Sequence, residues 1–333
     1  AVGNAGKINI ETGSLSIAPG GRIGSTIFGE GNAGDVTINA RENIEIQGFE
    51  DPEIDNEVPT GIFSNLEEGA RGNSGTIKIS SNSLNLYTRG QLRASIEYDA
   101  EGTGGDILVE TGSLTLNNTG TIFSSSVGTI GKGTGGDIEI NADTVSINTG
   151  ALITTQLGRG AEGKAGNIEI KANSLSLNSP NLKEDSGPGD RSVIQTSVST
   201  GARGDGGNIE IETNSLSLRG ETFLASAIRR EAQGNAGNIT IKTGSLSLDK
   251  DSAIVSRTFE MSQGTAGEID INANTVEIKD GATIESHTGG EGDAGNIEIN
   301  ASDSVLISGF SDLLLLERIF RDDTTGEVSG IDE

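Results

Sequence analysis

The chain of 333 residues contains no cysteine and no tryptophan, one methionine, one histidine and two tyrosines. Without cysteine there is no disulfide framework and no thiolate metal site. Aromatic residues make up only 3% of the chain, which leaves few platforms on which sugars could stack. His287, the single histidine, sits near glycines and has no repeating partner. No apolar run reaches the length of a membrane helix, so membrane insertion is not expected. No secretory leader is visible. Only 32% of the residues are apolar, a thin supply for a globular core of this length. Positive charge is also scarce: 23 Lys and Arg stand against 49 Asp and Glu, a net charge of −26. Such a surface repels nucleic acid and anionic lipid, so neither is an expected partner. Carboxylates are plentiful but spread along the chain rather than gathered around a cleft. No catalytic residue is therefore assigned, and an enzyme is not expected.

What the chain has is glycine, 50 residues of it, in a recurring phrase. Gly-x-x-Gly followed by a β-type alternation returns ten times, with its second glycine at Gly6, Gly34, Gly75, Gly105, Gly136, Gly166, Gly207, Gly237, Gly267 and Gly295. The intervals are 28, 41, 30, 31, 30, 41, 30, 30 and 28 residues. A period near 30 along the whole chain predicts a solenoid whose coils share one continuous core. In the coil of residues 136–163, Ile138 and Ile140 share one face of a first strand, and Val145 and Ile147 share one face of a second. Residues 152–155 form a third, and the glycine stretch 158–163 reads as a flexible closing loop. This predicts an all-β fold: a right-handed parallel β-helix of about ten coils, each with three short strands. The array spans residues 1–308, and 309–333 form an incomplete last coil with an insertion.

Columns down the stack agree. All forty positions equivalent to Ile138, Ile140, Val145 and Ile147 are Ile, Leu or Val. In the third strand an aliphatic residue is followed two places on by a small one, as in Ile62/Ser64, Ile153/Thr155 and Ile254/Ser256. Equal parity predicts an inward ladder of hydroxyls bonded along the stack or to corner backbone. After the second glycine stands a column rich in Asp and Asn (Asp35, Asp106, Asp137, Asn167, Asn208, Asn238, Asn296), read as turn caps that can form a ladder between coils. The phrase opens a strand each time, which excludes a phosphate-cradling loop. Glu139, Glu169 and Glu210 would stack about 4.8 Å apart on the outer face. Nearby lysines such as Lys171 and Lys242 can neutralise them, and Ca²⁺ is the alternative neutraliser. These three are the only metal-ligand candidates, and no other cofactor is implied.

The period breaks at residues 48–59 and 179–190, two acidic, proline-bearing insertions expected to be surface loops, and again at 309–329. In the last, residues 312–320 (DLLLLERIF) read as a short N-capped helix whose leucine face must cover the rod end, its flank or another molecule. The chain opens and stops inside repeats, the pattern of a piece of a longer protein.

The unit G-x-[AG]-G-[DN]-I-x-I-x-A-x-[ST]-[LV]-x-[IL], followed by G-A-x-I-x-S, resembles the repeats of bacterial filamentous-haemagglutinin-like exoproteins. Residues 135–155 (GGDIEINADTVSINTGALITT) and 266–286 (AGEIDINANTVEIKDGATIES) are close renderings, and the likeness covers essentially the whole chain. The resemblance implies a right-handed β-helix, two-partner secretion through an outer-membrane transporter, and a role as a surface fibre or adhesin. The NPNL-type motif of that family's secretion domain is not visible; residues 179–182 (SPNL) only echo it. The expected function is thus a non-catalytic structural shaft, extracellular or on the bacterial cell surface. Its expected partners are further coils or domains of a parent chain, cell-surface or host glycans and proteins, and copies of itself through the rod ends. A carbohydrate- or Ca²⁺-binding surface module is the alternative, and a polysaccharide-degrading β-helix enzyme ranks below it.

Overall fold

The computed structural model describes residues 2–50, 59–118, 121–123, 126–179 and 191–309. The insertions at 51–58 and 180–190 and the helix expected at 312–320 lie outside the described residues. Every regular element described is a strand, and the strands form three parallel sheets. Sheet 1 has ten rungs, from Ile8–Thr12 to Ile297–Ser308. Sheet 2 has nine, from Arg22–Gly24 to Thr283–Thr288. Sheet 3 has five three-residue strands, from Arg71–Asn73 to Arg203–Asp205. Each strand pairs in register with its equivalent one coil away, as Ile138↔Ile168 and Ile153↔Ile194 do. The fold is a parallel β-helix. At about 4.8 Å per rung, ten rungs make a rod roughly 45 Å long.

The three strands per coil are not placed as the alternation alone suggests. Ile138–Asn148 is one strand of 11 residues that merges the first two expected strands. The corner expected at residues 142–144 survives as a bend in which only Asp143 drops out of the pairing: Ala142 faces Ala172 and Thr144 faces Ser174. Inward parity switches there, from Ile138 and Ile140 to Val145 and Ile147, all 1% exposed or less. A threonine column steadies the bend. Thr111, Thr213 and Thr243 each donate Oγ1 to the carbonyl two residues on, at 3.2, 3.1 and 3.0 Å.

The third strand is not Leu152–Leu157, which belongs to sheet 2, but Glu162–Lys164, inside the supposed flexible loop. That stretch is ordered because it supplies core. Leu157 and Ala161 are wholly buried in a second apolar cluster with Leu66, Ile96, Val127, Val198 and Ile228, which fills the corner between sheets 2 and 3. The main cluster holds the Ile, Leu and Val columns of sheet 1 with Ile62, Leu92, Ile153, Ile194, Leu224 and Ile254 from sheet 2. Each such aliphatic side chain contributes about 1.5–3 kcal/mol by leaving water.

The inward hydroxyl ladder is present and has a specific task. Ser64 Oγ donates to the Gly34 carbonyl at 3.1 Å and accepts from the Gly75 N–H at 2.9 Å. Ser25 does the same between Gly6 and Gly34, at 2.8 and 2.9 Å. Thr196 Oγ1 instead bonds along the stack to Ser226 Oγ at 3.2 Å. At Ser25, Ser64, Thr155 and Ser256 the hydroxyl thus bonds a second glycine of the phrases, whose polar groups the core would otherwise strand. Ala94 interrupts the column, and there Gly105 N–H turns to the Ala94 carbonyl at 3.1 Å. Ser64→Ala is therefore expected to cost about 1–2 kcal/mol in equilibrium urea unfolding, since a fallback acceptor exists. An unchanged midpoint would show that the ladder carries no stability.

Candidate functional site

The outer surface is built of ladders, because every residue has its equivalent one rung away. The Asp/Asn column after the second glycine is one. Asp106 Oδ1 accepts from Asp137 N at 2.8 Å, Asp137 Oδ1 from Asn167 N at 2.7 Å, and Asn167 Oδ1 from Asn208 N at 2.9 Å. These side chains form the expected ladder between coils, each bonding the backbone one rung further on. A second such column, after the first glycine, was missed in the sequence: Asn4 Oδ1 accepts from Asn32 N, Asn32 from Asn73, and Asp205 from Asn235, at 2.8–3.0 Å. At the start of the stack Lys7 Nζ donates to Asp35 Oδ2 at 2.7 Å. That hydrogen bond holds the Asp35 carboxyl below the usual carboxylate range.

The structure brings Glu139, Glu169 and Glu210 together on three consecutive rungs of sheet 1, in register. Each is engaged on its own. Glu139 accepts from Asn141 Nδ2 at 2.9 Å, Glu169 pairs with Lys171, and Lys242 Nζ reaches Glu210 at 3.3 Å. Lys171 is held protonated above its usual range by its bond to Glu169 and by that carboxylate's charge. The lysines sit where neutralisation needs them. No group of three or more His, Cys, Asp or Glu gathers as a metal site among the described residues.

An open polar groove follows the bend of sheet 1. Asn141, Asp143, Lys171, Asn173, Glu212, Asn214 and Lys242 line it. Its floor is an amide ladder: Asn173 Nδ2 donates to Asp143 Oδ1 at 3.2 Å, and Asn214 Nδ2 to Asn173 Oδ1 at 3.3 Å. Sheet 3 carries a further pattern not recognised in the sequence. Arg71, Glu101, Lys132, Glu162 and Arg203 face one another on successive rungs, so the sign of charge alternates down the column. Arg71–Glu101 and Lys132–Glu162 close to 3.3 and 3.8 Å. Exposed pairs like these contribute little stability each, but a one-rung slip would set like charges face to face.

One cluster departs from the repeat. Glu67 and Glu97 follow the directly paired residues Leu66 and Ile96 on neighbouring rungs. Arg93 Nη2 donates to Glu97 Oε2 at 2.8 Å, and the Arg22 guanidinium lies 4.7 Å from the centre of the Phe63 ring. Burial, then the charge of Glu97, push the Glu67 carboxyl above its ordinary value of 4.5. A carboxyl raised in the folded state favours the protonated protein. Its stabilising contribution is present below 4.5 and is lost as pH rises through the raised value. Glu67→Gln is therefore expected to raise the melting temperature at neutral pH by about 1–2 °C, an amount kept small by solvent screening. The gain should vanish at acidic pH, and an equal shift at both pH values would refute the assignment.

Comparisons with family models, curated proteins and solved structures find no match to this chain.

Proposed function

We propose that this chain is the rigid, non-catalytic shaft of a secreted or cell-surface bacterial adhesin or filament. The supporting observation is continuity: sheet 1 runs through ten rungs with no break in the path of pairing. Interior hydroxyls and outer Asp/Asn and charge ladders fasten the same rungs from both sides. Work invested in every rung alike suits a part whose task is length and stiffness. Such a rod holds other coils or domains of a parent chain, and its own loops, at a distance from the cell. Cell-surface or host glycans and proteins are the partners this role implies, and it needs no cofactor.

The test joins architecture to activity. Deleting one coil, residues 137–166, should leave a folded rod shorter by about 4.8 Å in small-angle scattering. Beads coated with the full chain should bind cells no differently after residues 49–59 or 179–190 are deleted. Loss of binding with stability retained would overturn the shaft reading in favour of a surface-binding module. Turnover on a polysaccharide panel, abolished by one carboxylate change, would overturn it in favour of an enzyme.

The polar groove supports a second reading, a carbohydrate- or Ca²⁺-binding face. Stacked amides and carboxylates at a fixed rung spacing suit an extended polyhydroxylated chain or a string of cations. Calorimetry with Ca²⁺ and with polysaccharides tests it directly. Heat that is lost in Glu212→Gln, a change in the groove lining, would support it, and silence from both ligands would remove it.

A further inference from the structure

The turns between sheets 2 and 3 carry residues that the repeat does not require. Eight of them stack on successive rungs, from the turn after Ile27 to the turn after Thr258. Among the described residues, the exposed large apolar side chains away from the first and last rungs all lie on these turns. They are Phe28, Met261, Ile130 and Tyr98, at 78%, 60%, 42% and 40% exposed. Ile130 and Met261 have φ of 51 and 62, at the position that Gly69, Gly160 and Gly201 fill on other rungs. A β-branched side chain in that region strains the backbone, and leaving it in water recovers none of the cost. A contact outside the rod accounts for these residues better than the stability of a single rod does. Beside the turns runs the charge column of sheet 3. It starts one rung before its strands, at Glu30, and its sign alternates through Arg71, Glu101, Lys132, Glu162 and Arg203; Gln233 and Gln263 follow. Arg71, Glu101, Lys132 and Glu162 are all exposed.

We propose that this flank binds the same flank of a second copy, with the two rods antiparallel. Parallel rods would set each charge against its own kind, Arg71 on Arg71 and Glu101 on Glu101. In an antiparallel pair related by a two-fold axis across the rods, each column instead meets itself reversed. The alternating signs then require the axis to fall midway between rungs. An axis on the rung of Lys132 would set Glu101 on Glu162. Placed between the rungs of Lys132 and Glu162, the axis overlaps all eight turns. Lys132 then faces Glu162 of the second copy, and Glu101 faces its Arg203. Arg71 and Glu30 meet Gln233 and Gln263, whose amides serve either sign. On the turns Glu68 faces Arg230, Ile130 lies over Gly160, and Met261 meets Phe28. No like charges face each other in the charge column or the turns. Moving the axis one rung toward Phe28 sets Ile130 on Asp99 and leaves Met261 beyond the partner. One rung the other way sets Ile130 on Glu231 and leaves Phe28 beyond it. The overlap is about 34 Å long and, at a width of about five residues, buries about 1,000 Å² in all, the lower limit for a specific interface. The pairing does not rest on the shaft reading. Joined to that reading, it links rods that project from facing surfaces, since only those meet antiparallel.

A chain without cysteine allows a direct test. Glu68→Cys and Arg230→Cys are made in separate full chains and mixed under mild oxidation. The mixture should yield a dimer whose disulfide joins positions 68 and 230. Neither chain alone should yield one, because in the pair each position lies about 24 Å from its own equivalent. Links between like positions, links in every combination or no link at all would each overturn the proposal. Sedimentation velocity of the unaltered chain at low salt should show a dimer that dissociates as salt rises. Lys132→Glu should weaken that dimer about tenfold by setting like charges together, and adding Glu162→Lys should restore it. A monomer at every salt concentration, or a double variant as weak as the single one, would count equally against the pairing. None of these readouts depends on whether the rod serves as a shaft.

Discussion

Ile140→Asp is expected to unfold the middle of the rod. Ile140 is 0% exposed and faces Val109 and Ile170 on the rungs to either side. The aspartate would lie in the main apolar cluster, where the columns around it are Ile, Leu and Val. It cannot reach water without pulling its strand out of sheet 1, and it meets no cation inside. The cost is the lost isoleucine packing plus an unpaired buried charge, about 5 kcal/mol or more. In a stack the damage spreads. The broken coil withdraws an interface from each of its two neighbours, so several coils unfold together. Ile307 is the control. It occupies an equivalent column in the last rung but is 72% exposed, so Ile307→Asp should cost no more than about 1 kcal/mol. Equilibrium urea unfolding with hydrogen exchange checks both. An Ile140→Asp variant with an unchanged midpoint would remove the inward assignment and with it the coil geometry.

Why that column was legible in the sequence, and others were not, has a physical basis. Inward positions of a parallel stack see the same apolar surroundings on every rung, so composition repeats with the coil and the alternation stands out. Val36, Ile38, Ile44 and Ile46 are all buried as the pattern requires. The bend at Asp143 looks like a break because a parity switch reads the same in sequence whether the chain stops or merely kinks. The strand Glu162–Lys164 was hidden for another reason. Its glycine suggests a loop, and its neighbours Leu157 and Ala161 stand four residues apart with no period-2 pattern to betray their inward position. The charge ladder from Arg71 to Arg203 is visible only when the residue before each first glycine is aligned. The stacking of Glu139, Glu169 and Glu210 is legible in the sequence, since spacing fixes register. Their partners Asn141, Lys171 and Lys242 lie two residues along the strand or one rung away, which is why lysine neutralisation could be weighed from sequence at all. The buried outer face of sheet 2 has no such cue, for nothing in Phe223 or Val255, 9% and 3% exposed, says which side of a coil will be covered.

Gly166→Ala is expected to destabilise the rod by about 3 kcal/mol, although its backbone is of an ordinary kind. Among the second glycines of the ten phrases, none described has a positive φ. Conformational freedom is therefore not what glycine supplies there. An added Cβ at Gly166 would lie 2.5 Å from the Gly136 carbonyl carbon of the adjoining rung, and nearer still to its oxygen. The neighbour is backbone, so it cannot swing aside. It is fixed by the rung ladder on either side, where Gly135 N–H donates to the Lys164 carbonyl at 2.8 Å and Ile138 N–H to the Asn167 carbonyl at 2.9 Å. Thr155 Oγ1 also holds the Gly166 carbonyl at 2.5 Å from inside. Relief requires spreading two rungs, which breaks ladder bonds in both sheets at that corner. Gly201 gives the opposite case: its φ is +70, but nothing lies within 4 Å of an added Cβ. Gly201→Ala should cost about 1 kcal/mol of backbone strain and no more. Paired urea titrations separate the two causes. If Gly201→Ala proves as damaging as Gly166→Ala, the glycine columns serve the turns. If Gly166→Ala is the worse by the expected margin, they exist because two backbones pass too closely for any side chain.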